Sequence, residues 1–247
     1  MNRSSRVRAI VKPMQLRPKS PSRQRFESLY ATIRERICLL EYAPLQRLSE
    51  EELAAEFKVS RTPIRRVLTR LETEGLVETR HGVGTIVTDV DIEALAQVYQ
   101  LRMELAGLIG RLDPLPRTRD DLLRVRALLE RCNELARAER PDPKTFARIN
   151  MAFFQELSQM TGNEPLRAIG ERLYYLTTRI WLKSVPHLNL SDEIDVFRRE
   201  VADILDAMEV GDLEAVGYIR RSHISMSFKR LRGYSTPQMA QAGASAA

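Results

Sequence analysis

The chain has 247 residues, 43% of them hydrophobic, enough for a buried core in one large or two modest domains. Its formal charge of +6 resides in the first 88 residues, which carry 17 Lys+Arg against 10 Asp+Glu, while the rest carry 22 against 23; that is the sign expected for a polyanion partner. No apolar run reaches the roughly 18–20 residues of a membrane span, the basic start lacks a signal-peptide core, and Cys38 and Cys132 have no metal-ligand spacing, so composition points to a cytoplasmic protein with reduced thiols.

Residues 1–23 read as a flexible basic arm, with Pro13, Pro18 and Pro21 breaking any helix. Phe26, Leu29, Tyr30, Ile33, Ile37 and Leu40 then recur at helical spacing. After EYAPLQR, Ser49 and Glu52 form a capping-box pattern for a short second helix. A third helix runs from Arg61 to Glu74, with Pro63 in its first turn, where no intrahelical N–H bond is lost. LVETR and TIVT flank HGVG and predict two short strands. Three helices and a hairpin over residues 24–88 make a winged helix-turn-helix unit.

Ile64, Val67, Leu68 and Leu71 form the buried stripe of the third helix. Arg61, Arg65 and Thr69 lie on another side, with Thr62 near the start. A recognition helix needs this arrangement, because its first residues enter the major groove while the apolar face packs on the domain. An arginine there can grip guanine O6 and N7 with two hydrogen bonds. Arg80 and His81 precede Gly82 and Gly84, so the hairpin tip can turn tightly against a sugar-phosphate edge. Arg66 and Arg70 read as solvated surface charges.

Residues 89–91 read as a linker, and residues 92–232 as an all-α domain for effector binding and dimerisation. Helices are predicted near 91–112, 119–139, 143–161, 164–184, 191–210 and 212–231, punctuated by Pro114, Pro116, Pro141, Pro143, Gly162, Pro186 and Gly211. The tail, residues 233–247, reads as disordered. The expected architecture is therefore mainly α: a winged unit with a small β-hairpin, then a six-helix bundle.

The segment LSEEELAAEFKVSRTPIRRVLTRLETEGLVETRHGVGTIV resembles the DNA-binding domain of the GntR family of bacterial transcription regulators. The six-helix region resembles the FCD ligand domain of its FadR-type subfamily. The resemblance implies base or phosphate contacts for Arg61, Thr62 and Arg65, and a wing tip at His81 and Gly82. Glu51 departs from an arginine found in some members.

FCD domains often hold a divalent ion with one Asp and three His. Here the matching positions are Asn150, Phe154, Val201 and His223. Phenylalanine and valine offer no lone pair, and one imidazole cannot hold a transition metal usefully, so no metal or other cofactor is expected.

A pocket can survive without the ion. Arg102 shares a face with Leu95, Tyr99 and Ala106, and a buried arginine needs an anion or several acceptors. Asn150 lies on the stripe of Phe146, Phe153 and Leu157, and His223 on that of Val216 and Ile219. Tyr174, Tyr175, Arg179 and Trp181 could line the same space or serve helix packing. With Phe154 and Val201 replacing ligands, the expected effector is an organic acid with a sizeable apolar part.

The leading expectation is an effector-responsive repressor that binds a palindromic double-stranded DNA operator as a homodimer. The alternative is a ligand-independent DNA-binding protein whose helical domain only dimerises. An enzyme is not expected, since the helical region has no Glu-x-x-His pair, and G-x-S-x-G and phosphate loops are absent.

Overall fold

A computed structural model describes residues 20–244, with side chains to residue 233. Helix α1 (Pro21–Cys38), α2 (Glu50–Glu56) and α3 (Arg61–Thr73) precede strands β1 (Val77–Arg80) and β2 (Gly84–Val87). The strands pair antiparallel, Val77 opposite Val87 and Arg80 opposite Gly84. Pro21 does not break a helix but starts one. Ser20 caps α1 by accepting from the Arg23 amide, and proline in the first turn has no hydrogen bond to lose. The rest of the predicted basic arm, residues 1–19, lies outside the described residues. Ser49 accepts from the Glu52 amide at 3.3 Å as predicted.

The helical region comprises α4 (Ala96–Leu108), α5 (Arg119–Arg137), α6 (Pro143–Ser158), α7 (Glu164–Ser184), a 3-10 turn (Val185–His187), α8 (Leu190–Glu209) and α9 (Leu213–Ala244). Helix α4 begins later than periodicity predicts. The Asp91 carboxylate accepts from the Glu93 amide, and such a side-chain turn competes with helix. Residues 233–244 of the tail predicted to be disordered instead continue α9 through Gly233 and Pro237, and residues 245–247 lie outside the described residues. Alanine, glutamine and methionine are strong helix formers, and extending an existing helix needs no new nucleus.

Among the described residues three apolar clusters hold the fold together. The first joins Ile33, Ile37, Ile64, Val67, Leu71 and Leu76 of the winged unit to Ala147, Met151, Phe154, Tyr174 and Tyr175 of α6 and α7. The second fills the space between α5, α6, α8 and α9. The third packs α4 on α9 and takes in Val90 and Ile92. The predicted linker is thus anchored by its apolar side chains, and the winged unit docks directly on α6 and α7.

Candidate functional site

Arg61, Thr62, Arg65 and Thr69 are all exposed on one side of α3, while Ile64, Val67, Leu68 and Leu71 are buried behind them. The 3.6-residue period of the apolar positions fixes this rotation. Both arginines meet Glu50, the first residue of α2. Arg65 donates from Nε and Nη2 to the two Glu50 oxygens at 2.9 Å each, and Arg61 Nη2 donates at 3.2 Å. The paired guanidinium groups hold the Glu50 carboxyl below its usual range, chiefly through the Arg65 hydrogen bonds. Glu50 takes the Nε–Nη2 edge of Arg65, so the Nη1–Nη2 edge points away from that carboxylate. The sequence did not single out Glu50, because this contact joins two helices.

Arg70 differs from its neighbours. It pairs with Glu27 and Glu74, each at 3.1 Å, and lies 3.6 Å from the Tyr30 ring centre. It is a structural tie rather than a free surface charge. At the hairpin tip His81, Gly82 and Val83 are exposed, and Gly82 and Gly84 have φ of +77° and +99°. That backbone suits glycine and makes a narrow wing. Arg80 pairs with Glu78 on its own strand at 2.7 Å.

A second site lies inside the helical region. A cavity of about 90 Å³ is lined by Arg102 of α4, Asn150 of α6, Tyr174, Thr177 and Trp181 of α7, Glu193 and Glu200 of α8, and Arg220, His223 and Arg230 of α9. Arg230 pairs with Glu193 at 2.7 Å. Arg220 pairs with Glu200, and both are buried. No carboxylate stands within ion-pair distance of Arg102 among the described residues. It donates to Thr177 Oγ1 at 2.6 Å and lies over Tyr99 and Tyr174, 5.2 and 5.3 Å from the ring centres. Burial pushes its pKa down, so the site holds a charge under desolvation.

Among the described residues three buried side-chain atoms have no hydrogen-bond partner, Arg179 Nε, Trp181 Nε1 and His223 Nδ1, and the last two belong to residues that line the cavity. His223 Nδ1 is 3.8 Å from a Glu200 oxygen, too long for a hydrogen bond. Burial, more than the nearby charges, lowers the His223 pKa and favours the neutral ring. Buried polar groups without partners are rare and point to a missing acceptor or donor.

The structure divides the predicted effector residues. Arg102, Asn150 and His223 share the cavity, and Asn150 Oδ1 accepts from Tyr174 at 2.9 Å. Phe154 stacks on Tyr174 at 3.7 Å and lines a neighbouring chamber. Val201 lines neither. It is fully buried in the cluster between α5 and α8, because one residue along a helix turns the side chain by about 100°. Its neighbour Glu200 faces the cavity instead. Trp181 and Tyr174 also line the cavity, whereas Tyr175 and Arg179 face the winged unit. Among the described residues no three His, Cys, Asp or Glu side chains stand together as a metal site.

The winged unit is tied to this cavity through α7. Arg179 is 1% exposed and donates from Nη1 to the Thr88 carbonyl at 2.8 Å and from Nη2 to Thr88 Oγ1 at 2.9 Å. Thr88 Oγ1 in turn lies 2.9 Å from the Gly75 carbonyl at the end of α3. Lys183 donates to the Val90 carbonyl at 2.6 Å. Thr177, which holds Arg102, is two residues from Arg179.

Residues 26–87 match the family model for bacterial regulatory proteins of the gntR family, and residues 97–226 match the FCD domain. An HTH-type transcriptional regulator from an unstable DNA locus of Streptomyces ambofaciens is 30% identical over 84% of this chain and 86% of that protein. A probable D-xylose utilization operon transcriptional repressor of Paenarthrobacter nicotinovorans is 28% identical over 71% and 75%. The solved structure of McbR/YncC from Escherichia coli superposes with a TM-score of 0.74, covering 85% of this chain and 98% of that one at 18% identity, which speaks for the fold alone.

Proposed function

The chain belongs to the GntR family of bacterial regulatory proteins and carries an FCD domain, and from that premise we propose a ligand-responsive repressor that binds a palindromic operator as a homodimer. As a DNA-binding transcription regulator it is not an enzyme. Arg61, Thr62, Arg65 and Thr69 enter the major groove, with Glu50 fixing the arginine forks. Arg80, His81 and Gly82 follow the sugar-phosphate edge. Two winged units in a dimer read paired half-sites, since operator symmetry mirrors protein symmetry. Such a protein works in the cytoplasm, where its DNA is.

The effector is a small organic acid held by Arg102, Asn150 and His223, with Trp181 as a further donor. The observation that carries this is Arg102, a desolvated guanidinium without a carboxylate partner, beside two buried polar atoms that lack hydrogen bonds. An anion at Arg102 competes with Thr177 for its hydrogen bonds. The same helix grips Thr88 two residues on, so ligand binding and the stance of the winged unit share one element. An effector acts by preferring one such arrangement.

Gel-shift titration of an operator selected from genomic fragments tests this, with and without a panel of organic acids at constant salt. Release by at least one acid, abolished by Arg102→Met, is the expected result. Tight operator binding that no acid alters, with no acid binding the protein, would favour a bundle that only dimerises.

A further inference from the structure

We infer that the ligand is an amphipathic monoanion, its acidic head in the polar cavity and a short apolar tail in an adjoining chamber behind Arg102 and Arg220. This inference rests on the proposed effector role of the cavity.

A second cavity of about 40 Å³ adjoins the first. Both are lined by Arg102, Arg220 and Ile224, so the two guanidinium groups stand at the boundary. Beyond them the lining changes character. Leu105, Ile109, Phe154, Leu157 and Leu166 supply its walls, and Gly170 leaves one side bare. Its other polar side chains are engaged with protein partners, and Arg167 among them pairs with Glu164 and Gln159. The Ser158 hydroxyl donates to the Gln155 carbonyl, and Thr161 Oγ1 bonds the Leu112 carbonyl. Apolar walls of this kind favour hydrocarbon over water.

Charge fixes the head. The polar cavity is lined by Arg102, Arg220 and Arg230 against Glu193 and Glu200, with His223 held neutral by burial. Arg220 and Arg230 are matched by the two glutamates. One positive charge remains, on Arg102. A single carboxylate neutralises it, while a dianion leaves a buried negative charge and a cation meets repulsion. Size fixes the tail. At roughly 10–15 Å³ per water-sized group, the second chamber takes about three or four carbons.

Titration calorimetry on the full chain with straight-chain monocarboxylates from acetate to decanoate tests this, alongside dicarboxylates of matched length. Affinity is expected to rise about four-fold per added methylene while the tail enters the chamber, and then to level off. A Cβ at Gly170 meets nothing within 4 Å, so Gly170→Leu keeps the fold and fills the chamber. It should shift the preferred acid to a shorter one without weakening acetate. Leu105→Phe provides an independent filling of the same space. Arg102→Met should remove binding of every acid.

Flat affinity along the series, with short acids still releasing the operator, would overturn the tail chamber and leave the effector reading standing. Dicarboxylates binding as tightly as monocarboxylates would overturn the single-charge head. No binding by any carboxylate would remove both this inference and the organic-acid reading.

Discussion

Arg179→Met probes the joint between the two halves of the molecule. The guanidinium makes two hydrogen bonds to Thr88, each worth about 1.5–3 kcal/mol because one partner is charged. The charge has no carboxylate partner within ion-pair distance among the described residues, and burial lowers its pKa. Its desolvation therefore costs several kcal/mol. Methionine gives up the bonds, roughly 3–6 kcal/mol gross, and also removes the buried charge. The two changes largely offset, so overall stability should move by no more than about 2 kcal/mol. Coupling should not be spared. Allosteric coupling typically amounts to about 1–3 kcal/mol, or 5–150-fold in affinity, and the proposed effector response would run through Thr88. The assay compares operator affinity with and without a saturating acid in wild type and variant. The variant is expected to bind both acid and DNA while the acid's effect on DNA affinity falls below about two-fold. Protease should also cut more readily near residues 88–92. An undiminished ligand effect on operator affinity would refute the reasoning, since α7 would then not need its grip on the winged unit.

Arg65→Ala should weaken operator binding by about five- to hundred-fold and relax sequence preference, read by gel shift at matched salt. Equal affinity for operator and scrambled DNA in the wild type would contradict the role of α3. Burial lowers the His223 pKa against the pull of Glu200 and Asp203, with Arg220 and Arg230 adding to the lowering. The unfolded chain then binds more protons below about pH 6.5, so stability should fall as pH drops through that value, and His223→Gln should lessen the slope. Urea titrations at several pH values measure it, and a slope that the variant leaves unchanged would remove His223 as the cause. At the crossing of α4 and α9 a Cβ on Gly217 would stand 2.9 Å from the Ala106 carbonyl oxygen, and one on Gly110 only 1.8 Å from that of Leu213. Gly217→Ala should cost about 1–3 kcal/mol and Gly110→Ala more, seen as lowered melting temperatures by calorimetry.

Much of this molecule is legible from residue order because amphipathic period sets helix rotation. Ile64, Val67, Leu68 and Leu71 point inward, and Arg61 and Arg65 must then point out. Asn150 and His223 reach the cavity for the same reason. What escaped reading depends on contacts between elements. Glu50 looks like a helix-start carboxylate until α3 is laid beside it. Arg220 looks like one basic residue among several on α9, yet it is buried against Glu200. The family pattern puts Val201 at the cavity, but a one-residue rotation along α8 turns it into the core. Residues 89–91 have the length of a connector, but Val90 finds an apolar seat that local composition does not reveal.

Thr177 and Arg179 give α7 two masters within a single turn. A substitution there that reshapes the cavity also disturbs how the winged unit is held. Change is therefore freer on α9, whose side chains at 223 and 227 line the cavity without touching the Thr88 clasp or breaking the Glu200–Arg220 and Glu193–Arg230 pairs. Redesign of the proposed effector site should begin at those positions and leave the shared helix alone.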